Sequence, residues 1–337
     1  MSKNASASHV VFTGPLQVDI LSRNIKQQLL PNEIMVKATC TLISTGTELT
    51  VLRGQHTPGS VWHRLFEYPW DAGYCNVGVV LKVGDAVTEF KVGDRVSSTG
   101  PHATVFTISE NDALLIDEGV PDDEAAFATI AQIVMQGIRL ADLKLGENGV
   151  VCGLGLLGQF AVGLARHVGA WPVIGVDLEE FRRNTALHMG ASIVAGPDEV
   201  AAIIAKNTQE RMADVVFEVT GSPAVIPAAL EWVRRLGRFV MVSSPSGPTT
   251  IDFHDQVNAK GTVIIGAHNY THPSVANEYN RWTRKVDTQY YLQLVQAGLF
   301  SAKKLVTHSF HWSEAPKAYG QLLNDRSSTL GVLLEWN

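Results

Sequence analysis

The sequence predicts a two-domain α/β protein, a β-rich domain joined to a doubly wound parallel sheet. Residues 10–125 carry short apolar runs parted by Gly, Pro and Asp turns, the texture of an antiparallel sheet. From 129 to 268, apolar strand runs alternate with amphipathic stretches, as in βαβ units. A chain of 337 residues, 45% apolar and 18% charged, is long enough to bury two cores.

Within the first region, Ile34–Ala38, Val77–Val83 and Arg95–Ser97 are expected strands, and Val92-Gly-Asp-Arg-Val96 is a turn between two of them. In the second, strands are expected at Val150–Cys152, Val173–Val176, Val215–Val219, Phe239–Val242 and Val263–Ile265. Leu157, Phe160, Ala161, Leu164 and Val168 recur at helical spacing between the first two. Beyond 269 the alternation stops. A helix over 279–297, a strand over 305–310, a helix over 313–324 and a last strand at Leu330–Glu335 are expected. The domains are therefore drawn as 1–128 completed by 269–337, and 129–268.

Charge narrows the partners. Twenty-seven Lys and Arg against 33 Asp and Glu give a net charge of -6, with no electrostatic footprint for nucleic acid or an anionic membrane. The first nine residues lack the apolar segment of a signal peptide, and no window approaches about 18 uninterrupted apolar residues. A cytoplasmic protein is expected. Three cysteines, Cys40, Cys75 and Cys152, none in a CxxC pair, exclude a disulfide framework and any four-thiolate zinc site.

The run Gly153-Leu-Gly155-Leu156-Leu157-Gly158 is a GxGxxG between a predicted strand and a predicted helix. Gly153 permits the tight turn, Gly155 lets a pyrophosphate approach the backbone, and Gly158 allows close helix–strand packing. Leu156 and Leu157 open the helix whose positive N-terminus would receive the pyrophosphate. The next strand ends at Asp177, at the distance expected of a carboxylate that binds the adenosine ribose hydroxyls. Asp177 repels a 2′-phosphate and so favours NAD over NADP, while Arg182 and Arg183 are either phosphate partners or solvated helix residues. Thr220 and Ser243, at later strand ends, are cofactor candidates, though turn chemistry accounts for them as well.

In this order, the β-rich region, the fingerprint and the short αβ tail resemble the medium-chain dehydrogenase/reductase superfamily along nearly the whole chain. Ile43-Ser-Thr-Gly-Thr-Glu48, Arg281-Trp-Thr-Arg284, Leu305-Val-Thr-His-Ser-Phe310, Ala315-Pro-Lys-Ala-Tyr319 and Leu330-Gly-Val-Leu-Leu334 resemble a subgroup with bacteriochlorophyllide dehydrogenases and sugar or polyol oxidoreductases. The resemblance implies a GroES-like catalytic domain, a Rossmann domain and a nicotinamide cofactor.

It also implies positions for a catalytic zinc, and none carries a ligand. The first falls on Ser44 or Thr45, the second on Tyr74 in Gly73-Tyr-Cys-Asn-Val-Gly78, the third on Thr129. Zinc is held by thiolate, imidazole or carboxylate, so neither a catalytic nor a structural zinc is expected. Cys75 with His102 and Glu48 is the one out-of-register set to test.

Without zinc, hydrogen-bond donors must stabilise the developing alkoxide. By resemblance Thr47 relays the substrate proton, Tyr74 stands near the vacated metal position, and Glu48 is the acid that buttresses it. His102 is either an acid–base group or a sheet histidine with satisfied hydrogen bonds. Thr45 and the loop His268-Asn269-Tyr270 are substrate candidates, with His268 also expected at the cofactor; a surface loop or dimer contact is the other reading of 268–270. The function expected is zinc-independent, NAD(H)-dependent interconversion of a secondary alcohol and a ketone on a sugar, polyol or cyclitol. A zinc-free NADPH-dependent enone or quinone reductase and a catalytically inactive dinucleotide-binding protein are the alternatives. By resemblance, the strand at 262–266 extends the sheet across a two-fold axis, giving a homodimer or homotetramer.

Overall fold

The computed structural model describes residues 6–56, 59–325 and 327–337. The chain forms two units, Met1–Thr129 with Thr288–Asn337, and Ile130–Asp287.

The first unit is the β-rich one. Its larger sheet has the order Val306–His311, Gly331–Glu335, Glu33–Leu42, Asn76–Val83, Arg95–Ser98, Ala113–Leu115, and Val105–Ser109 also pairs with Glu33–Leu42. A smaller antiparallel sheet joins Ser6–Gly14, Gln17–Asn24 and Trp70–Asp71. Apolar positions of both sheets, including Val10, Phe12, Ile34, Val36 and Val80, form one core with Tyr319 and Trp336. That core draws the chain's C-terminal end back onto its N-terminal third.

The second unit is a six-stranded, all-parallel sheet. Its order is Ile193–Ala195, Val173–Val176, Gly149–Cys152, Ala213–Glu218, Val233–Met241, Val263–Gly266. In chain order this is 3-2-1-4-5-6, the dinucleotide-binding arrangement whose ligand crevice opens where the order reverses. The central strands Gly149–Cys152 and Val173–Val176 are buried throughout, as strands covered on both faces must be.

Some expectations are corrected. The strand Ile193–Ala195 is not among the expected ones, because three residues, two half-buried and one buried, carry almost no periodic signal. The helix expected from 279 begins at Arg284, since Asn277 and Asn280 side chains accept backbone N–H groups of Tyr279, Asn280 and Trp282 and hold the chain in turns. The return to the first unit comes after Asp287 rather than at 269. Residues 269–287 stay with the nucleotide-type unit because Gln132, Gln136 and Arg139 bond to Asn269, Thr271 and Asp287.

Candidate active site

In the first unit, a turn before the helix Thr47–Arg53 brings three hydroxyls together. Ser44 Oγ and Tyr74 OH share a short hydrogen bond, and the Thr47 side chain also bonds the phenol. Gly73, at φ +97, turns the chain into Tyr74; a Cβ there would lie 2.6 Å from the His102 ring. Burial is the main influence on the phenol and holds its pKa well above the ordinary tyrosine value, with Cys75 and Glu48 adding to the shift and the Ser44 and Thr47 hydrogen bonds opposing it. The group therefore stays protonated, a hydrogen-bond donor rather than an anion, through neutral pH.

Beneath these hydroxyls lies a fully buried network. Glu48 Oε1 accepts the Ser44 N–H at 2.7 Å, and Oε2 accepts the Tyr319 hydroxyl and His102 Nε2–H, the latter at 3.2 Å. His102 Nδ1 meets Thr41 Oγ1 at 2.8 Å, and Thr41 Oγ1 accepts Trp336 Nε1–H at 3.0 Å. A consistent proton order follows: Trp336 donates to Thr41, Thr41 to Nδ1, and Nε2–H to the carboxylate. His102 is 0% exposed with both nitrogens engaged, so it acts as a support rather than as an acid meeting substrate. Thr45 is half-buried beside this network.

The positions that the resemblance assigns to zinc do converge: Thr129 Oγ1 donates to the Tyr74 carbonyl at 3.2 Å, and Tyr74 meets Ser44. They supply neutral oxygens. Cys75, the nearest thiol, is buried and its pKa is pushed far up, chiefly by desolvation, so it does not offer a thiolate. Among the described residues, no group of three His, Cys, Asp or Glu is placed to hold a metal, Cys75 with His102 and Glu48 included. The residues present do not fit zinc.

In the second unit the fingerprint glycines separate into distinct tasks. Gly153 has φ +97, and a Cβ there would lie 2.8 Å from Thr220. A Cβ on Gly158 would lie 1.9 Å from the Gly153 carbonyl. A Cβ on Gly155 would meet nothing within 4 Å, which is the open approach a pyrophosphate requires. Leu156 and Leu157 open the helix Leu156–His167, whose N-terminus has no side-chain cap. Asp177 Oδ2 accepts Leu154 N–H at 2.7 Å and Oδ1 accepts Glu179 N–H at 2.9 Å, which pins the carboxylate at the fingerprint loop. Arg182 Nη1 lies 3.9 Å from Asp177 and is mostly buried, while Arg183 caps the Asp177 and Leu178 carbonyls; neither is a solvated helix residue. These features fit a dinucleotide.

Thr220 and Ser243 are brought together by the carboxylate that ends the strand Ala213–Glu218. Buried Glu218 takes the Thr220 hydroxyl at 2.5 Å, the backbone N–H groups of Thr220 and Gly221, and the Ser243 hydroxyl. The two hydroxyls thus hold the strand ends to Glu218 rather than stand ready for a cofactor. His268 Nδ1 accepts Tyr270 N–H at 3.2 Å, its ring lies 4.8 Å from the Tyr270 ring, and Tyr270 is 63% exposed. Asn269 is bonded to Gln132. Tyr319 and Thr41 were also missed; an Ala315-Pro-Lys-Ala-Tyr319 helix start signals an element but not the reach of its side chain to Glu48.

The comparisons agree with this division. Residues 31–114 match the family "Alcohol dehydrogenase GroES-like domain", and residues 157–285 match "Zinc-binding dehydrogenase". The D-guloside 3-dehydrogenase of Escherichia coli (strain K12) is 27% identical, covering 96% of this chain and 99% of that protein. The L-threonine 3-dehydrogenase of Marinomonas sp. (strain MWYL1) is 25% identical, covering 91% and 93%. The solved 2R,3R-butanediol dehydrogenase of Bacillus subtilis superposes with TM-score 0.82 at 22% identity, covering 98% of this chain and 100% of that one. The chain belongs to the medium-chain dehydrogenase/reductase superfamily. Among the described residues no helix is long and apolar enough to cross a membrane.

Proposed function

We propose that this protein interconverts a secondary alcohol and a ketone with NAD(H), without zinc, on a hydroxylated substrate such as a sugar, polyol or cyclitol. The observation that carries the reading is the Ser44–Tyr74 hydroxyl pair, at two positions the resemblance assigns to a metal, with Thr47 beside it. When bound, the nicotinamide accepts or returns a hydride. In the reducing direction the Tyr74 phenol donates to the ketone oxygen and passes its proton to the alkoxide, and Ser44 or Thr47 is placed to restore it. In the oxidising direction the alcohol proton leaves by the same hydroxyls as the hydride departs from carbon. Glu48, held by Tyr319 and His102, fixes the Ser44 backbone and so the cluster.

Asp177 supports NAD over NADP, since a carboxylate so placed repels a 2′-phosphate. The guloside and threonine relatives support a polar substrate. Among the described residues the strand Val263–Gly266 closes the parallel sheet with one neighbour, and Val263 is 52% exposed, which supports self-association along that edge; light scattering giving a monomer mass overturns that part.

The deciding experiment measures NAD+ and NADP+ reduction with a panel of sugars, polyols and cyclitols, before and after exhaustive chelation, alongside metal analysis. Turnover with NAD+ that survives chelation in metal-free protein is expected. Stoichiometric zinc with chelator-sensitive activity overturns zinc independence. NADPH-specific reduction of an enone points to the reductase alternative, and dinucleotide binding without turnover points to an inactive protein.

A further inference from the structure

Three residues beyond the helix Thr47–Arg53 stands His56, which the activity above does not use. Its Nδ1 and Nε2 are both shut from solvent, and neither has a hydrogen-bond partner among the described residues. A buried donor or acceptor left without a partner carries the full cost of its lost hydration. The imidazole lies parallel to Trp62, with centroids 5.7 Å apart and planes 15° from one another, and Phe66 is 6.5 Å away. Phe66 in turn packs edge-on against Trp70 at 5.5 Å. Trp62, Phe66 and Trp70 are each half-buried, so the aromatic row is a partly open wall rather than deep core.

We propose that His56, Trp62 and Phe66 form a subsite for a neutral sugar ring, apart from the reacting hydroxyl. The proposal rests on the alcohol–ketone reading of the Tyr74 cluster and names the part of the substrate that lies away from the reacting carbon. Aromatic faces take the apolar C–H face of a pyranose, and a neutral imidazole offers one N–H donor and one acceptor, the pair a hydroxyl requires. Burial, with His63 adding to it, lowers the His56 pKa, which keeps the ring neutral and unsuited to an anion. Thr47 opens the same seven-residue helix that ends just before His56. At about 1.5 Å per residue, that helix is about 10 Å long. Trp62, on the short helix Val61–Leu65, is only partly buried where it packs against the first unit's apolar core.

The test uses methyl β-D-glucopyranoside as probe, with binding to the full chain followed by calorimetry and stability followed by thermal melting. The wild type is expected to bind the glycoside saturably, and His56→Leu to bind it about tenfold more weakly, the loss of a well-placed hydrogen bond. Because the nitrogens have no partner among the described residues, the same variant is expected to melt at the same temperature or higher. His56→Gln, which keeps a donor and an acceptor, is expected to retain binding. Absence of saturable glycoside binding by the wild type overturns the proposal, as does a His56→Leu protein that binds equally well. A His56→Leu protein with a lowered melting temperature and intact glycoside binding assigns the ring to packing. His56-dependent glycoside binding in a protein that turns over no alcohol leaves the subsite standing and removes the oxidoreductase reading instead.

Discussion

Tyr319 donates its phenolic hydroxyl to Glu48 across 271 positions of sequence, deep in the first unit. Glu48 then receives donors from three directions: the Tyr319 hydroxyl, the His102 ring and the Ser44 backbone. Since Ser44 is also the partner of Tyr74, the buried carboxylate governs where the Ser44 and Tyr74 hydroxyls stand.

Tyr74→Phe removes the only phenol in the cluster while keeping the ring. Loss of a positioned general acid typically costs about 10²–10⁴ in rate, so kcat should fall by at least about 10². NADH affinity, read by fluorescence titration, should not change. An unaltered kcat would remove Tyr74 from the chemistry.

Tyr319→Phe leaves the buried Glu48 carboxylate one donor short. Hydrogen bonds to charged groups are worth about 1.5–3 kcal/mol, and denaturant unfolding should register a loss of that size. A catalytic defect should accompany it, smaller than that of Tyr74→Phe, because Tyr319 acts through Glu48 and Ser44.

Gly155→Ala and Gly158→Ala should fail differently. The Gly155 Cβ enters open space, so that variant should melt like the wild type yet lose NADH binding. The Gly158 Cβ would collide with the Gly153 carbonyl, so that variant should be destabilised by at least the ~1–3 kcal/mol typical of overpacking. Two variants with the same melting temperature would contradict this division of roles.

Asp177→Ala should narrow the preference for NAD+ over NADP+, measured as the ratio of kcat/KM values. Part of any loss with NAD+ itself should reflect the freed Leu154 N–H, which the Asp177 carboxylate now holds. An unchanged ratio would clear Asp177 of a selective role.

Alkaline pH should destabilise the protein. Burial raises the folded-state pKa of Tyr74, Tyr291 and Tyr319, and pushes Cys152 from 9.0 to about 12. For a raised pKa, the unfolded chain releases the proton first, so stability is whole below the unfolded value and drains as pH rises towards the folded one. Denaturant unfolding should therefore show a plateau up to about pH 9 and a decline above it. A stability that rises from pH 9 to 11 would contradict the assignment.

Much of the first level was legible. The GxGxxG, Asp177 and the strand–helix alternation carry their own local signatures, because turn sterics and apolar periodicity act over a few residues. The polar residues at the expected zinc positions were visible for the same reason: a ligand is a residue type at a register. Less legible were contacts whose partners lie far apart. The bonds from Thr220 and Ser243 to Glu218 have no local signature, and His102 reads as either an acid or a support until both its nitrogens are accounted for. The segment 269–287 could not be apportioned from its irregular sequence, since its side-chain anchors are on a helix some 140 residues earlier, such as Gln132 to Asn269 with 137 positions between them.

By itself, then, the sequence determined the two-domain α/β plan, the dinucleotide cradle and the lack of zinc-ligand chemistry at Ser44, Tyr74 and Thr129, all of which follow from residue type and short-range spacing. Only the tertiary structure decided that Ser44, Tyr74 and Thr47 form one hydroxyl cluster, that Glu48 answers to Tyr319, and that the His56 nitrogens, set among aromatic rings, have no hydrogen-bond partner among the described residues. The physical reason is that a buried hydrogen bond depends on which side chains the folded core brings within about 3 Å, and that distance is set by packing rather than by position along the chain.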